Sequence, residues 1–175
     1  LVLCGGISKE RLISLETGKE VLKQLNKKGY KAITCEPDDN LFKKIKSFNP
    51  NIIFHLAAQN SLYDSEENPD ADREANVVPL EAILTACKNL DRKPMVVFAG
   101  TATQLGFGQN IPADETDDDK PITVYDQHKL EAEKLLESAV SNGVCNGCTL
   151  RLTNVYGTGK NVSNSDRGIL NKMIV

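Results

Sequence analysis

The sequence predicts an α/β protein with a doubly wound, three-layer parallel sheet, and three observations carry that prediction. Short apolar segments alternate with amphipathic ones along the whole chain, which is the pattern of strands joined by crossover helices. Several apolar segments end in small or hydroxyl-bearing residues, as at Ala57-Ala58 and Thr101-Ala102-Thr103. The chain has 175 residues, 40% of them hydrophobic, enough for one compact core. A single domain spanning 1–175 is therefore expected.

The elements follow in order. Residues 1–4 form a short apolar strand. Ser14 caps a helix whose apolar positions Leu15, Val21, Leu22 and Leu25 recur at helical spacing. Gly29, just after Lys27-Lys28, stops it. A second strand covers 31–36 and a short helix 40–48, broken by Asn49-Pro50. The third strand covers 51–57. A helix covers 71–89, with Pro79 placed to kink it. The fourth strand covers 94–101, the long helix 123–142 and the fifth strand 149–154. Right-handed crossovers give the order 2-1-3-4-5, with both faces of the sheet covered.

Composition excludes several classes. A net charge of −3 gives no general field for nucleic acid. No apolar run approaches the ~20 residues needed to span a bilayer, and no secretory signal is visible. Five scattered cysteines, an odd number, fit reduced thiols and a cytoplasmic location. Cys145-Asn146-Gly147-Cys148 lacks a second ligand pair, with only His55 and His128 as histidines; it reads as a turn before the fifth strand. The acidic stretch 114–119 reads as a solvated loop rather than a cation site, and Asn161-Val162-Ser163 as a polar loop. No metal is expected.

The chemistry concentrates at Tyr125 and Lys129. Four residues apart on one helix, they share a face one turn apart. A phenol with an ordinary pKa of about 10 is idle at neutral pH, and a neighbouring ammonium favours its phenolate. The pair is a proton-transfer device. His128, beside Lys129, points to another face and is left out of catalysis. In a doubly wound sheet ligands bind beyond the carboxyl ends of the strands, where Gly5, Glu36, Ala57, Thr101 and Thr153 fall. Gly5-Gly6 permits close approach to a pyrophosphate. Glu36 favours a free ribose over a 2′-phosphate, hence NAD over NADP.

Four segments in chain order, at His55-Leu56-Ala57-Ala58, Phe98 to Thr101, Tyr125 to Lys129 and Arg151 to Gly157, resemble the motifs of the extended short-chain dehydrogenase/reductases, the NAD-dependent epimerases and dehydratases. The likeness covers about residues 51–175. It implies a Rossmann-like fold, with Tyr125, Lys129 and Thr101 as catalytic residues. It implies NAD held by Gly5, Gly6, Ser8, Glu36, Ala57, Asn76, Tyr125, Lys129 and Thr153, and a nucleotide-sugar contacting Asn154. Two departures stand out. The family's extra strand between the second and third has no room in the fourteen residues between Glu36 and Asn51. The fingerprint G-x-x-G-x-x-G keeps Gly5 but has Ser8 and Arg11 at the other two places.

Residues 1–54, with Gly5-Gly6-Ile7-Ser8-Lys9-Glu10 and a Ser-Leu pair at Ser14-Leu15, resemble instead the start of a D-alanine–D-alanine ligase. That likeness implies an amine-holding role for Glu10. The chain reads as a chimera joined near Phe54-His55. The expected function is an NAD-dependent nucleotide-sugar epimerase/dehydratase-type oxidoreductase domain, cut short after Asn154 before any substrate lobe, with an altered phosphate loop and very low turnover. The alternatives are a non-catalytic recombinant fold and a small-molecule binding fragment of the ligase. Titration with a dinucleotide and with D-alanine separates the three.

Overall fold

A computed structural model describes residues 1–9, 11–107 and 110–153. Five parallel strands form one sheet: β1 (Val2–Leu3), β2 (Thr34–Cys35), β3 (Ile52–His55), β4 (Met95–Thr101) and β5 (Asn146–Leu152), in the order β2-β1-β3-β4-β5. That is the predicted order. The register places Val2 between Thr34 and Phe54, Ile53 opposite Val96, and Thr101 opposite Leu152. Only α2 (Leu41–Phe48) lies between β2 and β3, so the family's extra strand is missing, as the segment length requires.

The helices differ from expectation in instructive ways. Helix α1 (Arg11–Lys27) starts earlier than predicted, because the Arg11 N–H already bonds the Ser8 carbonyl at 3.0 Å. Ser14 is therefore inside the helix, and its hydroxyl accepts from the Gly5 N–H at 2.9 Å instead of capping. The stop at Gly29 is correct: its φ of 83° is left-handed. The single helix expected over 71–89 is divided at Val77 into two, α4 (Pro69–Asn76) and α5 (Val78–Cys87), and a short unpredicted helix, α3 (Leu62–Glu67), precedes them. Ser61 caps α3 and the Asn68 side chain caps α4. Pro79 falls in the first turn of α5, where its missing N–H has no intrahelical partner to lose, so it begins a helix rather than kinking one.

Helix α6 (Val124–Ser141) opens on a capping box in which Thr123 and Asp126 satisfy each other's backbone N–H groups. Strand β5 begins at Asn146, three residues before the prediction. Cys148 is thus a strand residue paired opposite Val97, not part of a turn. Gly147 passes under Leu136 and Val140 of α6 without a side chain to hold them off, which is what lets the strand start there. All five cysteines are free thiols. Among the described residues no helix is long and apolar enough to cross a membrane.

The core is the contact layer between sheet and helices. Leu3, Ile53, Val96 and Phe98 come from the strands, and Ile45, Leu80, Ile83 and Leu136 from the helices; all are essentially inaccessible. The covering is incomplete at β5, where Leu150 and Leu152 are nearly half exposed. The expectation of a sheet covered on both faces therefore holds for β1, β3 and β4 but not for this edge among the described residues.

His55, the last residue of β3, is 1% exposed. Its ring lies 5.4 Å from that of Phe98, and neither ring nitrogen has a hydrogen-bond partner. Burial, with the Lys129 charge adding to it, pushes the imidazole down to about 3, so it is neutral in the fold. Its ordinary value of 6.5 returns on unfolding. The unfolded chain then takes up the proton first, and stability falls as the pH drops from 6.5 toward 3. Replacing His55 with Leu removes that loss. Urea unfolding at pH 7 and pH 4.5 is expected to show the acid-side decline reduced by about 3 kcal/mol in the variant; an equally steep decline in both proteins refutes the assignment.

Candidate functional site

The carboxyl edge of the sheet carries two groups of candidate residues, a cavity at the ends of β1 and β3 and a polar cluster where α6 meets the end of β4. The cavity, of about 290 Å³, is lined by Gly5, Gly6, Ser8, Asp38, Ala57 and Ala58 among others. Gly5 and Gly6 take positive φ values of 82° and 103°, which L side chains rarely adopt. A Cβ on Gly5 would stand 2.5 Å from Glu36 Oε2, so glycine is required there on two counts. Of the predicted cofactor residues, Gly5, Gly6, Ser8 and Ala57 line this cavity. Glu36 does not. Its carboxylate is held by the Arg11 guanidinium in a two-pronged pair, Nε to Oε2 at 2.8 Å and Nη2 to Oε1 at 2.7 Å. That pair is the main reason its pKa lies below the ordinary carboxylate value.

The polar cluster is built by α6 against β4. Lys129 is 2% exposed. Its ammonium donates to the Ala99 carbonyl at 2.6 Å and lies 4.5 Å from the centroid of the Phe98 ring and 6.0 Å from that of Tyr125. Burial lowers its pKa from 10.5 to about 8, against an upward pull from Asp72. Tyr125 is half-buried, with its ring beside that ammonium as the four-residue spacing requires. Thr101, at the end of β4, has its hydroxyl 2.8 Å from that of Thr103 and accepts from the Thr103 N–H at 3.3 Å. Thr103 in turn donates to Asp126. The Thr101 hydroxyl is thus tied, through one side chain, to the first turn of the helix that carries Tyr125.

Behind Lys129 lies a group of polar residues that sequence reasoning missed. Asp72 on α4 is fully buried. It accepts from Gln59 Nε2 at 2.7 Å and Asn76 Nδ2 at 3.1 Å, and its other oxygen is 2.7 Å from His128 Nδ1. Asn76 is 1% exposed and its Oδ1 is without a partner, so it is no ordinary surface asparagine. His128 is rightly outside the Tyr125 face, but it fixes the carboxylate nearest in charge to Lys129. The signal in the sequence was Asp72 four residues before Asn76, the spacing that lets one carboxylate hold the next turn's amide.

Arg151 on β5 bonds Glu133 and Asp119, which ties the end of the acidic stretch to the sheet. Among the described residues no acidic or histidine cluster suits a metal ion. Thr153, one residue beyond β5, is exposed and does not line the cavity. Asn154 and Glu10 lie outside the described residues.

A sequence model of the NAD dependent epimerase/dehydratase family matches residues 12–175. The chain belongs to this family. The match begins one residue after Arg11, so β1 and the glycine loop fall outside it. The N-terminal segment is similar to the D-alanine–D-alanine ligase of Pelagibacter ubique, 64% identical over 55 residues, 31% of this chain and 18% of the ligase. A protein of Rhizobium meliloti described as a probable UDP-glucuronate 4-epimerase is 32% identical over 132 residues, 74% of this chain and 38% of that protein. The chain thus spans well under half the length of either relative. A UDP-glucose 4-epimerase of Thermotoga maritima, solved with UDP-glucose, superposes with a TM-score of 0.79 at 22% identity, over 98% of this chain and 61% of that one. One from Brucella ovis, solved with NAD, gives 0.73 at 21% identity, over 87% and 51%. These likenesses bear out the Rossmann-like sheet.

Two stability predictions follow from the α6–β4 contact. Lys129 costs the fold its desolvation at neutral pH, because it is charged in both states there. Between pH 8 and 10.5 only the unfolded chain still holds the proton, so stability rises with pH across that window. Lys129→Met is expected to be more stable at pH 7 and to lack that rise, a difference on the order of 3 kcal/mol; parallel profiles from urea unfolding argue against a desolvated ammonium. Asp126→Ala removes both the capping box and the Thr103 tether, and is expected to destabilise by about 1–3 kcal/mol, with the loss read in the same assay.

Proposed function

We propose that this chain is the dinucleotide-binding part of an NAD-dependent nucleotide-sugar oxidoreductase of the epimerase/dehydratase type. The observation that carries the reading is the buried Lys129 ammonium beside the Tyr125 ring at the carboxyl end of β4. A buried lysine held by one strand carbonyl is costly to keep, and a cofactor and substrate at the same edge give it something to do. The residues fit a dinucleotide at the β1 end too. Gly5, Gly6 and Ala57 line the cavity there with little or no side chain. The same family as a whole is defined by NAD dependence.

In this reading Gly5, Gly6, Ser8 and Ala57 receive the adenosine and pyrophosphate part of NAD, and Asn76 and Lys129 face the ribose nearest the reaction. Bound NAD supplies the hydride acceptor. The Lys129 charge favours the Tyr125 phenolate, which would take the proton of the sugar hydroxyl being oxidised and so become the phenol; in the reverse direction the phenol returns it. Thr101 donates to the substrate oxygen once its hydroxyl turns from Thr103. Residues 1–175 act as one domain, and Asn154 contacts the sugar nucleotide. Preference for NAD over NADP comes from Glu36.

A second reading, a recombinant fold that binds no dinucleotide, draws on one observation, the Arg11 guanidinium already seated on Glu36. Calorimetry separates the two. Titration with NAD at millimolar concentration is expected to give measurable heat, and with NADP less; no heat with either selects the second reading, while equal or stronger binding of NADP removes Glu36 from the site. Tyr125→Phe is expected to keep the NAD affinity and to lower any NAD-linked turnover of a UDP-sugar by about 10²- to 10⁴-fold. An unchanged rate would mean that the tyrosine is inherited without chemistry.

A further inference from the structure

The carboxylate at the end of β2 is already engaged. Arg11 is the first residue of α1, and a helical Cα–Cβ bond leans toward the helix N-terminus. The side chain therefore reaches back over the 5–8 loop to the end of β2. There its guanidinium takes both Glu36 oxygens, at 2.7 and 2.8 Å, in the fork geometry that arginine makes with carboxylates. The Gly6 N–H adds a long bond to Oε2 at 3.5 Å. Glu36 is drawn back against Gly5, close enough to collide with any Cβ there. The cavity beside it is lined by Gly5, Gly6, Ser8, Pro37 and Asp38, and by neither member of the pair.

We propose that the Arg11–Glu36 ion pair is an autoinhibitory clasp on the dinucleotide cleft, which the adenosine ribose of NAD must open before Glu36 can accept its hydroxyls. The inference rests on the NAD reading above and adds to it the residue that holds binding back. The pair is built to open. Both side chains keep solvent access, 47% for Arg11 and 30% for Glu36, so solvent screens the two-pronged pair and water can take over its contacts when it opens. Removal of Arg11 leaves the loop its other anchors. The Gly5 N–H stays on Ser14, and Lys9 stays on Asp64 at 2.8 Å.

The test is calorimetric titration of NAD into the whole chain and into Arg11→Ala, Glu36→Gln and the double variant, each checked for folding by thermal unfolding. Arg11→Ala is expected to bind NAD about three- to fivefold more tightly, the range in which an exposed ion pair competes. In the Glu36→Gln background the same substitution is expected to change nothing, since the clasp has already lost one half. Arg11→Gln carries the same expectation as Arg11→Ala should the alanine variant not fold. If the unaltered chain binds NAD and the Arg11 variants bind it equally, the clasp is overturned and the NAD reading stands. Weaker binding by the variants makes Arg11 a phosphate contact, which also overturns it. A gain that persists in the Glu36→Gln background assigns the effect to loop loosening and rejects the pair. Heat from none of these proteins removes the NAD reading and the clasp with it.

Discussion

The attachment of α6 to the carboxyl end of β4 fixes everything else at the candidate site. It has two points. Asp126, in the first turn of the helix, takes a hydrogen bond from Thr103, and Lys129, one turn later, donates to the Ala99 carbonyl. Two points determine both the position of a helix and its rotation about its own axis. Tyr125 lies next to the first and a turn before the second, so its ring has little choice of direction. The cost of this arrangement is a desolvated ammonium, which is why the charge of Asp72 and the ring face of Phe98 matter. A lysine placed only for stability would be replaced by a neutral donor or an apolar side chain with gain.

The same logic extends to the buried polar residues behind the site. Asp72 is saturated by Gln59, Asn76 and His128, which come from the loop after β3, from α4 itself and from α6. One carboxylate thus links three segments. Arg73, its neighbour in sequence, adds a second link from α4 to Glu131 of α6 at 2.7 Å. Helix α4 is therefore locked to α6 by a buried pair and a half-exposed one, and the shortness of the individual helices is offset by these cross-links. At the seam between the two resemblances, β3 pairs with β1 on one side and β4 on the other. A strand whose Ile53 and His55 both face inward and fully buried satisfies either neighbour, so a segment from a different family can supply β1 and β2 without changing the sheet.

The sheet was legible in the sequence because strands alternating with helices require a parallel sheet with right-handed crossovers, for which 2-1-3-4-5 is a common doubly wound order, and because the apolar runs at 51–57 and 94–101 are unambiguous. The juxtaposition of Tyr125 and Lys129 was legible because a four-residue spacing on a helix leaves little freedom. The errors came where two local rules compete. Ser14 is a good cap in sequence, yet the loop before it needed its hydroxyl for the Gly5 N–H. Pro79 inside an apolar run reads as a kink until the break at Val77 is recognised, which makes Pro79 a first-turn residue of a new helix. Cys148 reads as a turn residue because Asn146-Gly147 precedes it, but Gly147 is small for packing under α6 and not for turning. The pairing of Arg11 with Glu36, and of His128 with Asp72, joins residues 25 and 56 positions apart. No spacing rule reaches that far.

The two parts of the candidate site stand differently toward the family match. At the β4 end, Tyr125 and Lys129 lie within the matched span, with the ammonium 6.0 Å from the ring centroid. At the β1 end, Arg11 stands just before the span that matches the family, and its guanidinium holds the Glu36 carboxylate. A change at that end acts on a part of the dinucleotide remote from the reacting atoms. In the proposed reading it weakens the ground-state and transition-state complexes alike. Uniform losses of that kind raise the concentration of cofactor needed and leave the rate of the saturated protein alone. In that reading the chemistry proposed for Tyr125 and Lys129 is insulated from changes around β1, and the rate at any given NAD concentration is governed by how fully the cavity beside Gly5 and Gly6 is filled.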